Sequence, residues 1–207
     1  MKKISIISIL LFLVFSLSAQ NFRGGLIVGL SMSQIDGDSY SGYNKSGFLF
    51  GAVVDRKISE KLILAMEIKF LQKGSRNSYN IETGTGEYYR AKLNYIQIPL
   101  LAEYKCWKEL SIQAGFGFGY LISSKEEDDN GELPDAYSFK KGEFAGIFGV
   151  SYDIPSKNIR FNLRATNSIF AVRKNPTQEM PNTYYYDLRD RGQYNRNLEF
   201  GLVYFFK

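Results

Sequence analysis

The chain contains no histidine among its 207 residues. That excludes Ser-His-Asp catalysis, histidine-based zinc sites and imidazole acid–base work. Cysteine occurs once, at Cys106, so no intramolecular disulfide can form. Within Lys105-Cys106-Trp107-Lys108 it reads as a tolerated turn residue rather than a reactive thiol. Proline is scarce, at 5 residues, against 19 Gly, 15 Tyr and 16 Phe, a balance that suits strands more than helices. The charge excess is small: +5 overall, and without Lys2 and Lys3 it is 24 basic against 21 acidic residues, or +3. That is too mild and too evenly spread for a nucleic-acid partner. There is no phosphate-cradling glycine loop, because Gly115, Gly117 and Gly119 alternate along one stretch and so serve packing.

The first residues read as a secretory signal. Lys2 and Lys3 form a basic start, residues 4–17 an apolar run, and Ser16-Leu17-Ser18-Ala19 a small-residue cleavage site, placing the cut after Ala19. The apolar run is shorter than the ~20 residues of a spanning helix, and no basic stop-transfer follows. The expected division is a signal peptide over 1–19 and one domain over 20–207.

The most ordered pattern lies at residues 94–104. Ile96, Ile98, Leu100, Ala102 and Tyr104 share one face, and Tyr95, Gln97, Pro99, Leu101 and Glu103 the other. Eight segments alternate in this way, at about 22–34, 45–57, 61–73, 91–104, 109–122, 141–154, 158–172 and 194–206. Their connections alternate between short (57–61, 105–109, 154–158) and long (34–45, 74–90, 123–140, 173–193), as in barrels of the outer membrane. The fold class expected is all-β: an eight-stranded antiparallel up-and-down transmembrane β-barrel after a cleaved signal peptide.

A soluble barrel with an apolar ligand cavity also alternates. The second face decides against it, since Gly25, Gly29, Gly47, Gly51, Gly149 and Gly201 with Ser31, Ser33, Ser111 and Ser151 suit a crowded interior, not a water-facing wall. Aromatic residues near both ends of the apolar face, such as Phe48, Phe70 and Tyr120 against Tyr104, Tyr152 and Tyr204, suit two interfacial girdles. Pro99 cannot donate to a ladder and predicts a local bulge.

The run Tyr95-Ile96-Gln97-Ile98-Pro99-Leu100-Leu101 resembles the characteristic strand of the PorT-like outer-membrane β-barrel domain family of Bacteroidetes. The signal ending Ser18-Ala19-Gln20, the glycine-rich start of the first segment and Gly115-Phe116-Gly117-Phe118-Gly119 are similar too, so the resemblance spans essentially the mature chain. It implies an eight-stranded barrel in the cell outer membrane. One founding member is associated with protein secretion across that membrane, so a membrane or secretion-complex protein is an expected partner beside outer-membrane lipid.

The inward face should carry an interior charge cluster of Glu67, Lys69, Glu103, Arg160, Arg164 and Glu199, with Asp55, Glu143 and Asp153 nearby. Paired carboxylates could suggest a glycosidase, but a narrow lumen with cationic neighbours favours a salt-bridged plug. Arg164 is expected to pair with Glu199 on the adjacent segment, with Glu67 within reach across the lumen. The acidic run 125–132 lacks EF-hand spacing and reads as a solvated loop, with calcium as a weaker reading. In the last long loop, Tyr184, Tyr185, Tyr186, Arg189 and Arg191 form either an aromatic collar or a candidate loop-binding patch. No catalytic, cofactor or metal residues are expected. The chain is expected to be a monomeric barrel and not an enzyme. It would act as a structural or assembly component or through its extracellular loops, with a surface binding or adhesion module as the alternative.

Overall fold

The computed structural model describes residues 22–38, 40, 42–77, 88–133, 138–174 and 192–206. The leader and the Tyr/Arg patch at 184–191 lie outside them. In chain order the strands are β1 (Phe22–Asp36), β2 (Lys45–Lys57), β3 (Leu62–Asn77), β4 (Tyr89–Trp107), β5 (Leu110–Asp128), β6 (Gly131–Glu132), β7 (Gly142–Ile154), β8 (Ile159–Ser168), β9 (Arg173–Lys174) and β10 (Gly192–Phe205). β6 and β9 are two-residue additions to the loops. The other eight pair antiparallel with their neighbours in the order β1-β2-β3-β4-β5-β7-β8-β10, and β1 pairs back onto β10 from Gly25 opposite Phe205 to Asp36 opposite Tyr194. The ring is therefore closed and has no edge to protect.

Burial follows the pleat. Leu26, Val28, Leu30 and Met32 of β1 are exposed, as are Phe48 and Phe50 of β2, Leu64, Met66 and Ile68 of β3, Phe116 and Phe118 of β5, and Phe200 of β10. So wide an apolar surface is stable only against hydrocarbon. The eight long strands run from 10 to 19 residues, enough for the ~9–11 residues of a tilted spanning strand. Above the apolar band the outward positions turn polar together. Gln72 Nε2 donates to Asn94 Oδ1 at 3.1 Å, and Asn94 Nδ2 donates to Ser123 Oγ at 2.8 Å, forming part of a polar collar.

The short connections have simple local causes. Ile58 and Ser59 amides both donate to the Leu62 carbonyl at 2.8 and 3.1 Å. Lys108 turns the β4–β5 link with φ 43°, and Asn158 ends the 3-10 turn Pro155–Lys157 with φ 54°, a conformation asparagine tolerates well.

Three expectations need correction. Pro99 causes no bulge: the register to β3 is unchanged across it, with Met66 opposite Leu100 and Lys69 opposite Gln97. The register shift lies instead where Asn94 faces Ser123 but Tyr95 faces Leu121, leaving Ile122 as the extra residue on β5. Cys106 is likewise the extra residue where Lys105 faces Ser111 and Trp107 faces Leu110, so it belongs to a bulged strand end and not to the turn. Finally, 74–77, 89–90 and 123–128 are strand, because the β3–β4–β5 ribbon continues above the polar collar to Asn77 opposite Tyr89 and Tyr89 opposite Asp128.

Candidate functional site

The inward positions of the strands form a stack of charged tiers. Nearest the short turns, Arg160 on β8 meets three acids from three other strands. Its Nη1 lies 2.9 Å from Glu103 Oε2 and 3.3 Å from Asp55 Oδ2, and its Nε lies 2.8 Å from Asp153 Oδ1. Arg23 adds a second cation, donating to Asp55 Oδ2 at 2.6 Å, and both guanidinium groups lie over the Phe205 ring. One tier higher, Arg164 grips Glu67 with two parallel contacts of 2.9 and 2.8 Å. Its Nε donates to Gln113 Oε1 at 2.7 Å, and Gln113 Nε2 donates to Glu103 at 2.9 Å, which ties the two tiers together.

Glu199 lies directly opposite Arg164 in the β10–β8 register, yet it does not take that arginine. Lys69 holds it from across the lumen, and Thr166 Oγ1 and Asn197 Nδ2 donate to its other oxygen at 2.8 and 3.0 Å. The expected Arg164–Glu199 pair is thus replaced by Arg164–Glu67. The bidentate fork fits the carboxylate facing it across a narrow lumen better than the one beside it on the sheet. All six residues of the expected interior cluster are buried here, and the tiers bring them into one connected network.

A third tier was not anticipated. Lys73 Nζ lies 2.8 Å from Glu143 Oε2 and 5.2 Å from the Tyr95 ring centroid, while Ser168 and Asn195 donate to Glu143 Oε1. Lys73 continues the alternation of Glu67, Lys69 and Leu71, so the signal was present in the sequence.

Above it sits an apolar cap of Ile35, Tyr89, Ala91, Leu93, Tyr95, Leu121, Phe139 and Val172. Arg173 closes the cap, with Nη1 and Nη2 at 2.5 and 2.8 Å from the two oxygens of Glu126, its guanidinium 4.0 Å from the Phe139 ring centroid, and Tyr89 donating to the same carboxylate. Residues 126 and 173 belong to connections expected to be loops, and nothing in local sequence pairs them. Beside the cap, burial pushes the Asp38 carboxyl above the ordinary carboxylate range, partly offset by hydrogen bonds from Ser75 and the Tyr40 amide.

Three glutamates of the acidic run have cationic partners. Glu126 is held by Arg173, while Glu127 and Glu132 lie 2.9 and 3.4 Å from Lys125. Among the described residues no three acidic or thiol side chains converge on a metal position. A surface depression of about 1220 Å³ lies among the outward Leu64, Met66, Leu100, Phe116 and Phe148, on the lipid-facing wall and not in the lumen. The arrangement can brace the barrel wall from inside, because its cations link carboxylates on different strands.

A family model described as "Outer membrane protein beta-barrel domain" matches residues 18–172. Among solved structures, the chain is similar to Ail, the attachment invasion locus protein of Yersinia pestis, at 12% identity, covering 90% of this chain and 100% of that one with a TM-score of 0.49. It is similar to Neisserial surface protein A at 14% identity, covering 89% and 97% with a TM-score of 0.46. It is also similar to OprG from Pseudomonas aeruginosa at 13% identity, covering 89% and 94% with a TM-score of 0.36. No curated protein sequence matches the chain.

Proposed function

The chain belongs to the outer membrane protein beta-barrel domain family, and from that premise we propose that it is a closed, non-conducting barrel that serves as a membrane-fixed docking component through its long-loop end. It is located in the outer membrane. The observation that carries the proposal is the filled lumen. Arg160, Arg164, Lys69, Lys73 and Arg173 each hold a carboxylate of another strand inside the ring, the packing that a plugged lumen needs. On this reading the working surface is the end where β3, β4 and β5 rise above the polar collar and an apolar core supports them. The resemblance to PorT-like barrels suggests assembly with a secretion-linked membrane partner. An enzymatic role is disfavoured by the absence of histidine and by the fixed partners of the interior acids.

Two measurements test this reading. In planar bilayers the purified protein gives no steady conductance, and stable single-channel steps would overturn the closed barrel. Crosslinking in intact membranes followed by purification recovers a membrane or periplasmic complex. Recovery of an extracellular ligand alone favours the second reading, a surface binding module built on residues 184–191. Protease added to whole cells is expected to cut within 123–140 or 173–193. Cleavage confined to the short turns at 57–61, 105–109 and 154–158 would place the long-loop end on the wrong side of the membrane.

A further inference from the structure

The outward residues of β5 and β7 alternate in size in two directions. Phe116 is opposite Gly146 in the ladder, and Ala114, one step nearer the short turns, is opposite Phe148. The two phenylalanines share one diagonal of this square and the two small residues the other. Phe116 and Phe148 stand proud, at 56% and 60% exposure. Between them lies the depression of the outer wall, with Ala114 and Gly146 on its floor and Ala102 opposite Ala114 on β4.

The tilt of the strands sets the direction of each diagonal. A row that leaves β1 at Gly24 and is followed once round the ring, through β2 to β10, returns to β1 at Gln34. Rows therefore climb toward the long-loop end from β5 to β8. At the strand tilt of ~35–45° found in such barrels, the Ala114–Gly146 diagonal runs along the membrane normal and the Phe116–Phe148 diagonal across it. The depression is thus an upright groove with one aromatic ring on each side at nearly the same depth.

Asn167 stands at the top of this groove. It points outward on β8, opposite Gly146, and lines the same depression. Its side-chain amide has no hydrogen bond among the described residues. Arg196, its neighbour on β10, is held by Asp36 at 2.6 Å. Above Asn167 the surface is apolar again: Phe144, Ile169 and Phe170 are exposed, and the Phe144 and Phe170 ring centroids lie 6.3 Å apart. A primary amide in such surroundings is costly until it is paired, and an acyl chain offers it nothing. A second amide does, because each carries both donors and an acceptor.

Two copies inserted in the same direction can pair through one shared patch only about a two-fold axis along the membrane normal. The groove meets that symmetry. With the axis over Ala114 and Gly146, the residues that face their own mates are small. Phe148 of each copy then lies beside Phe116 of the other, and the two Asn167 amides come within reach of each other across the top. We propose that the outer face of β5–β8 is the contact between two copies of this chain in the outer membrane, with the paired Asn167 amides fixing its depth.

Sedimentation equilibrium of the full chain in detergent reads the association directly. Wild type is expected to be dimeric and Gly146→Leu, which fills the groove, monomeric. The barrel itself tolerates that change, because a Cβ at Gly146 meets nothing nearer than Ile169 Cδ1 at 3.8 Å. Heat-modifiable migration checks that it has folded. Asn167→Leu is expected to weaken association roughly tenfold, about 1.4 kcal/mol of interchain amide hydrogen bonding in hydrocarbon. Should Gly146→Leu not fold, Asn167→Leu carries the test. Phe50→Ala, on β2 at the far side of the ring, leaves association unchanged. In intact membranes, with Cys106→Ser removing the native thiol, Asn167→Cys is expected to give a disulfide-linked dimer under mild oxidation, and Phe50→Cys is not. A monomeric wild type, an unchanged association in both groove variants, or equal crosslinking of Phe50→Cys would each overturn the pairing. Crosslinking of Asn167→Cys to a protein of another mass in place of a second copy would overturn it too, and assign the groove to a different membrane partner.

Discussion

Arg164→Ala is expected to lower the unfolding midpoint of the detergent-solubilised barrel more than any other single change to an interior charge. The side chain is 2% exposed and makes both contacts to Glu67, at 2.8 and 2.9 Å, as well as the hydrogen bond to Gln113. Truncation leaves Glu67 as a buried carboxylate whose remaining cation is Lys69 at 3.7 Å. Breaking a dry ion pair from one side costs roughly 3–5 kcal/mol. The partial cover from Lys69 places the expected loss in the lower half of that range. It also orphans Gln113 Oε1, and so loosens the link to the Glu103–Arg160 tier.

Glu199→Gln is a smaller change. The amide keeps an oxygen for Thr166 and Asn197, and Lys69 retains Glu67. A loss of roughly 1–3 kcal/mol follows from losing the charged hydrogen bond from Lys69, whose ammonium then faces the amide NH2. The order is the diagnostic feature. The paired variant Arg164→Met with Glu67→Met should recover most of the stability lost in Arg164→Ala, since a buried pair can be exchanged for apolar volume at little net cost. Urea unfolding followed by tryptophan fluorescence measures all three. An Arg164→Ala barrel as robust as wild type, or a greater loss in Glu199→Gln, would show that the tiers do not hold the lumen as described.

That the interior is charged was legible in the sequence, but its wiring was not. Period two puts Glu67, Lys69, Arg164 and Glu199 inside whatever the registers are, because a strand reverses its face at every residue. Neighbouring segments can also be aligned from their turns, which is why Glu199 was expected to face Arg164, and in register it does. Partner choice, however, depends on the diameter of the ring and on which side chain spans it, and no local pattern carries that distance. The same limit explains Arg173 and Glu126, 47 residues apart, whose meeting depends on where two long connections fold.

The bulges were displaced for a related reason. Pro99 removes one donor, yet the sheet accommodates that without an extra residue. The insertion falls at Ile122, which places Ile122 and Ser123 in succession on the outer side as β5 leaves the apolar band. Hydrophobic alternation located that strand but breaks off at the bulge, so the ribbon above it read as loop.

Gly29→Val is expected to prevent the ring from closing. Gly29 lies on β1 opposite Gly201 of β10, at the seam that joins the two ends of the sheet. A Cβ built there would sit 2.0 Å from the Phe200 carbonyl oxygen and 2.9 Å from the Gly201 Cα. These are backbone atoms of the partner strand, so no rotamer change relieves the overlap. Ordinary overpacking costs about 1–3 kcal/mol because side chains can shift. Here the strands themselves must separate, and in a bilayer each opened ladder position leaves a donor and an acceptor that hydrocarbon cannot satisfy. The seam also joins the first and last strands of the ring, so turn-linked hairpins cannot hold it in place while it opens.

Gly24→Ala is the matched control on the same strand, since its added Cβ meets only a Phe206 ring carbon at 3.7 Å, an ordinary contact. On unheated SDS gels a closed barrel migrates apart from its boiled form. Wild type and Gly24→Ala should show that shift, and Gly29→Val should run at the boiled position in both lanes with reduced β-sheet circular dichroism in detergent. A heat-modifiable Gly29→Val protein would mean that β1 and β10 do not approach as closely at this point as the seam requires.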